Sequence, residues 1–195
     1  MNRKTLLLKR LSRELFKNGK KEMTGRLRGA RLRETIEKML REGDESGLAL
    51  DFSGMGSIDF SWADEVVAKL VSRLWSGEYG EKFLLLKSLS PSQAENIGVA
   101  LERKKLAVLA TGPEGWHIVG SLNNYLIHTL EQVMKRNQLT LRELSQEEGI
   151  EMNTCGTRLL NLFKKRLVWR VEGPLRTGKE ASHRGRQYVY KSLLA

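Results

Sequence analysis

At 195 residues the chain has room for one large domain or two small ones. Its 40% apolar and 29% charged residues are those of a soluble globular protein, and no apolar run approaches the roughly 20 residues that span a bilayer. A single cysteine, Cys155, excludes an intramolecular disulfide and a multi-cysteine zinc site.

The net charge of +11, with a pI near 9.9, is unevenly spread. Residues 1–33 hold 12 Lys/Arg against 2 Glu, residues 34–119 hold 9 against 14, and residues 120–195 hold 13 against 7. An acidic middle between two basic ends argues for separate surfaces with separate partners. Nucleic acid and an anionic membrane both suit such a balance, as does a merely soluble basic surface. The basic start is followed only by Leu6-Leu7-Leu8 before Lys9 and Arg10, too short for a signal-peptide core, so a cytoplasmic location is expected.

Two readings fit the first residues. Lys4 to Leu8 suits a short strand; Leu6 to Phe16 suits a basic amphipathic helix with Thr5 as N-cap. Lys17 to Lys21 reads as a loop, and Leu27 to Leu40 as a helix with Leu32, Ile36, Met39 and Leu40 at helical spacing. Leu48 to Phe52 is a short apolar run after a Gly-containing turn, hence a buried strand. Asp59 or Ser61 can cap the next helix, Trp62 to Trp75, which turns Val66, Leu70 and Leu74 inward. Phe83 to Leu86 is a second buried strand. Ser90-Pro91 opens a helix reaching about Lys104, with Pro where its missing N–H costs nothing. The alternation of helix and strand predicts an α/β layer. Leu106 to Ala110 and Trp116 to Val119 flank Thr111-Gly112-Pro113-Glu114-Gly115. Their alternating apolar residues favour a hairpin over an extended linker. The domain boundary is placed near Gly120, giving domains 1–119 and 120–195.

Asn123 or Asn124 caps a helix to about Arg136. Thr140 to Leu144 opens a short amphipathic helix, Gly149-Ile150 make a turn, and Asn153 to Lys165 form a second helix. Val168-Trp169-Arg170-Val171 and Gln187-Tyr188-Val189-Tyr190 then bracket a loop with Arg176, Lys179, His183, Arg184 and Arg186. Leu159, Leu162 and Phe163 fall at core spacing with Leu144 and Ile150. That leaves Asn153, Thr154, Thr157, Arg158, Asn161 and Lys164 as candidates for an outward face. Asn can pair with adenine and Arg with guanine, and either can hold phosphate. Helix phase leaves Arg158 open between DNA and a carboxylate such as Glu151. The loop suits the DNA backbone or the minor groove, with His183 a phosphate neighbour; a solvated charge run is the plain alternative. Cys155 is expected to pack, and Trp169 to pair with Tyr188 or Tyr190 across the two strands.

Two resemblances follow from these residues. Ala49 to Met55 followed by Ile58-Asp59-Phe60-Ser61-Trp62-Ala63-Asp64-Glu65 resembles the bacterial STAS-like domains of unknown function, relatives of anti-sigma factor antagonists, over about residues 25–105. In the antagonists the serine directly after the Asp is phosphorylated. Here Phe60 holds that place, and Ser61 is the next hydroxyl, read first as a helix cap. The resemblance implies a dimerisation or docking module, with Asp59, Phe60, Ser61 and Trp62 as its contact turn unless Trp62 packs inward. Ile150 to Val168, with Leu141-Arg142-Glu143-Leu144-Ser145 before it, resembles winged helix-turn-helix transcription regulators. Such regulators often carry Gly before the Leu-Val exit, where this chain has Arg166; a turn that avoids positive φ accommodates it.

The fold expected is thus an α/β STAS-like N-terminal domain with an α+β winged-helix C-terminal domain. Expected partners are double-stranded DNA and a second copy of the chain, so that a homodimer reads two half-sites. The alternative is a partner-switching protein that docks a histidine-kinase-like ATPase or a sigma-factor regulator. No P-loop, GxGxxG or HExxH is present, so neither catalysis nor a cofactor is expected. Asp51, Asp59, Asp64 and Glu65 could hold Mg²⁺, though Asp64 and Glu65 also suit the start of a helix. His117, His128 and His183 are too scattered for a metal site.

Overall fold

The computed structural model describes residues 2–16, 24–174 and 186–195, with the side chains of Pro174 and Arg186 left aside. The chain divides into two compact units, Met1–Leu122 and Asn123–Ala195.

The N-terminal unit is built on a five-stranded sheet whose spatial order is its chain order. Strands β1 (Arg3–Leu7), β2 (Gly47–Asp51), β3 (Phe83–Lys87) and β4 (Ala107–Gly112) run parallel, and β5 (Gly115–Gly120) returns antiparallel to β4. Both readings of the first residues hold, end to end: β1 passes directly into helix α1 (Leu8–Leu15), which buries Leu8 and Leu11. Thr5 therefore lies in the strand and caps nothing. Helix α2 (Arg26–Glu42) leads into β2. After β2 come α3 (Phe60–Ala63), a π-helical turn (Asp64–Ala68) and α4 (Lys69–Trp75), which follow one another without leaving right-handed helical backbone. Helix α5 (Pro91–Glu102) starts with a full capping box, in which Ser90 and Gln93 satisfy each other's backbone N–H.

Strand alternation decides the core. Leu48 and Leu50, Leu84 and Leu86, and Val108 and Ala110 point to one face of the sheet and share a buried cluster with the helices. Trp62 belongs to that cluster, fully buried and edge-on to Phe52. The hairpin expected around Pro113 is present, with all six residue pairs of β4 and β5 in register.

Helix α2 meets the π turn closely. A Cβ on Gly29 would stand 3.1 Å from Glu65 Cβ, so glycine is what lets the two backbones approach. Glu65 is buried there and is paired with Arg33 at 3.4 Å and Lys69 at 2.6 Å. Arg33 also reaches Glu37, which in turn holds Arg73. The acidic middle of the chain thus spends part of its charge neutralising buried Arg33 and the half-buried Lys69 and Arg73.

The C-terminal unit runs α6 (Asn124–Arg136), β6 (Gln138–Thr140), α7 (Leu141–Glu148), α8 (Met152–Lys164), β7 (Val168–Pro174) and β8 (Arg186–Ser192). Its three strands are antiparallel in the order β6-β8-β7. Leu130, Val133, Leu139, Leu159, Leu162 and Leu193 are fully buried.

Candidate nucleic-acid interface

The α7–α8 pair is fixed by local chemistry. Thr140 caps α7, accepting from Glu143 N at 3.3 Å, while the Glu143 carboxylate accepts from Thr140 N at 2.7 Å. Gly149 ends the helix at φ +62, the left-handed region that glycine enters without steric cost. Ser145 then donates to the Ile150 carbonyl at 2.7 Å and closes the turn. Two side-chain contacts join α6 to α7: the ion pair of Arg136 with Glu147, and a hydrogen bond between His128 Nε2 and the Glu148 carboxylate at 2.8 Å.

Helix α8 separates its residues by phase. Cys155, Leu159, Leu162 and Phe163 are buried. Asn153, Thr154, Thr157 and Lys164 are exposed and Asn161 is half-exposed, so the expected outward stripe is present. Thr157 spends its hydroxyl proton on the Asn153 carbonyl at 2.9 Å, which leaves it an acceptor toward any ligand. Arg158 is half-exposed, like Asn161, with its guanidinium over the Tyr125 ring at 5.4 Å. Cys155 is a packed residue, as expected: burial pushes its thiol up, with Arg158 pulling it down and Glu148 adding to the rise.

The strand pair corrects an expectation. Trp169 lies opposite Lys191, and Tyr190 opposite Arg170, so Trp169 points to the other face from Tyr188 and Tyr190. A period of two makes the tryptophan–tyrosine pairing impossible in this register. Arg170 takes the aromatic partner instead. Its guanidinium sits between the Phe163 ring at 4.0 Å and the Tyr188 ring at 4.1 Å, tying the end of α8 to β8. Sequence reasoning passed over Arg170; an Arg diagonal to Tyr188 across two strands was the available signal. Arg166 is a second correction. The turn before β7 does adopt positive φ, +58 at Arg166, with the guanidinium over Phe163 at 5.4 Å.

Arg176, Lys179, His183 and Arg184 lie outside the described residues. Arg186 opens β8 opposite Pro174.

In the N-terminal unit the expected contact turn is only partly available. Asp59 is the cap of α3, accepting from Trp62 N at 2.7 Å, and a second oxygen accepts from Gly25 N at 3.0 Å at the start of α2. One carboxylate therefore ties two helix starts together. Ser61 is half-buried inside the first turn and is not the cap. Phe60 is half-buried beneath the Arg103 guanidinium, 5.2 Å from its ring. Trp62 is fully buried and cannot form the tip of a docking surface: it lies one helical turn before Val66 on the same inward face. Asn123 sits at the N-cap of α6, but its side chain donates to the Tyr125 hydroxyl at 3.2 Å rather than capping the helix.

The four carboxylates weighed for Mg²⁺ serve other ends. Asp51 accepts from Ser53. Burial alone would raise its carboxyl, and the Ser53 hydrogen bonds with Lys87 and Ser88 outweigh that and hold it below the ordinary value. Asp59 caps, Asp64 pairs with Lys104 and Arg26, and Glu65 with Arg33 and Lys69. No group of three or more His, Cys, Asp or Glu converges to hold a metal ion among the described residues. No helix is long and apolar enough to cross a membrane among them. No protein-family model matches this chain, and no curated protein matches it.

Proposed function

We propose that the chain is a DNA-binding transcription regulator. In this reading the C-terminal unit is a winged helix-turn-helix, with α7 and α8 as the helix pair and β7–β8 as the wing. The observation that carries the reading is the outward stripe of α8, Asn153, Thr154, Thr157, Asn161 and Lys164, joined through Arg170 to the strand pair that brackets the cationic loop. Support also comes from the order of elements, in which the α7–turn–α8 pair is followed by the antiparallel strand pair β7–β8, the helix-turn-helix and two-stranded wing that the resemblance implies. Helix α8 enters the major groove with its polar stripe on base edges and phosphates. Arg176, Lys179, Arg184 and Arg186 bring the loop onto the flanking backbone. The N-terminal unit is STAS-like and serves dimerisation or the sensing of a partner.

The test is selection of genomic fragments by the purified protein at physiological salt, followed by sequencing. A few enriched loci sharing a two-fold motif are expected. Uniform recovery that vanishes with added salt makes the protein a non-specific organiser. No recovery removes the DNA reading in favour of docking to a histidine-kinase-like ATPase or a sigma-factor regulator. Within the DNA reading, Arg184→Ala with Arg186→Ala weakens binding on every sequence. It lowers the slope of log K against log salt by about one for each phosphate that the protein no longer neutralises. An unchanged slope takes the wing off the DNA.

A further inference from the structure

The five-stranded sheet has two edges, β1 and β5, and they differ in charge. β1 carries Arg3 and Lys4, the kind of residue that keeps an edge from accepting another strand. β5, Gly115-Trp116-His117-Ile118-Val119-Gly120, has no Lys, Arg, Asp or Glu.

The phase of its ladder is fixed. Ser121 N donates to the Leu106 carbonyl at 2.8 Å, which makes 106 and 121 a hydrogen-bonded pair. Counting along the register by twos, Val108–Val119, Ala110–His117 and Gly112–Gly115 are the other hydrogen-bonded pairs. The N–H and C=O groups of Trp116 and Ile118 therefore point away from β4. Among the described residues none of them is taken up by another group. Their side chains share one face of the sheet, and both are half-exposed.

From this we propose that β5 is a homodimerisation edge, two copies pairing antiparallel through it to make one continuous ten-stranded sheet. An antiparallel neighbour must set outward residues opposite outward residues, so a two-fold axis passes through a residue and not between two. With the axis at His117, Trp116 of each copy faces Ile118 of the other. Both pairs exchange two backbone hydrogen bonds, and each sets an aromatic against a β-branched side chain. With the axis at Ile118, Trp116 faces only Gly120, so the first register is favoured. The resulting interface is isologous and closed.

The test is the mass of the full chain in solution by sedimentation equilibrium, with no DNA present, so its outcome is separate from that of the DNA reading. The expected wild-type mass is twice the 22.2 kDa of one chain. Ile118→Pro removes an outward N–H and leaves the β4–β5 ladder intact, so a folded monomer is expected. A wild-type monomer at ~100 µM, where even a weak strand pair of ~10 µM Kd would form, overturns the proposal. So does a folded Ile118→Pro variant that still dimerises. Should that variant unfold, Trp116→Lys decides, since it keeps every backbone group. Removing both cross-strand aromatic pairs weakens the dimer about tenfold or more, and an unchanged dissociation constant overturns the proposal.

Discussion

Two ways of holding an arginine contrast: buried Arg33 in the N-terminal unit is answered by carboxylates, whereas Arg158 and Arg170 in the C-terminal unit lie on aromatic rings. Arg33 is buried with Glu37 and Glu65, and Arg73 joins Glu37. Arg158 lies over Tyr125, and Arg170 between Phe163 and Tyr188. The first arrangement cancels charge and holds elements together. The second keeps the positive charge, since the ring offers only its quadrupole, and fixes a guanidinium whose edge stays able to donate.

The largest effect that separates the two arrangements is expected at Glu65. Glu65→Ala leaves Arg33 buried without its closest anion on the π turn and is expected to cost about 3–5 kcal/mol in urea unfolding. Replacing Arg33 and Glu65 together by methionines should recover most of that loss, because the penalty lies in a buried charge left with Glu37 in place of two buried carboxylates. A single Glu65→Ala cost below about 1 kcal/mol, in the range of a surface pair, would mean that the network is solvated and the contrast is false.

Next comes Asp59, whose carboxylate serves two helix starts. Loss of an N-cap costs about 1 kcal/mol on average and up to about 2, and the second bond to Gly25 N places Asp59→Ala at the upper end. Asp59→Asn keeps an acceptor for one N–H and should fall between. If Ala and Asn behave alike, the Gly25 contact contributes nothing. The same experiment bears on the resemblance to the antagonists: here the Asp is held by backbone, whatever docks beside it.

Arg170 comes third. Arg170→Lys keeps the charge and loses the planar stack between two rings, with an expected loss of about 0.5–2 kcal/mol in the unfolding of the C-terminal unit. Urea unfolding followed by fluorescence reads it. A lysine variant as stable as the parent would reduce the arginine to a point charge and remove the link between α8 and the strand pair.

Much of this frame was legible in the residues. The apolar runs at Leu48–Phe52 and Phe83–Leu86, the Ser90-Pro91 start and the Thr140–Glu143 box each carry their cause locally, in side chains within four positions. Trp62 was legible as well: counting back by four from Leu74, Leu70 and Val66 lands on it, and the inward face follows. The π turn was not legible, because it answers Gly29 and Arg33, some thirty residues earlier in the chain. The second bond of Asp59 was hidden for the same reason. In the candidate interface the polar stripe of α8 follows from helix phase, whereas the contact of Arg158 with Tyr125 and the clasp on Arg170 depend on elements brought together only by the fold.

The smallest effect concerns Arg166, where the two demands meet in one residue. Its backbone takes φ +58, and its guanidinium lies over Phe163. The left-handed conformation costs an L-residue roughly 1–2 kcal/mol, and glycine escapes that cost while giving back part of it in chain entropy. Comparison with the parent alone mixes backbone and stack. Arg166→Ala and Arg166→Gly both lose the stack and differ only in the backbone, so glycine should be the more stable of the two by about 0.5–1 kcal/mol. The distance from Arg166→Ala to the parent then measures what the side chain contributes. An alanine variant equal to the glycine variant would show that this turn relaxes out of the left-handed region, and with it the fixed exit from α8 into β7.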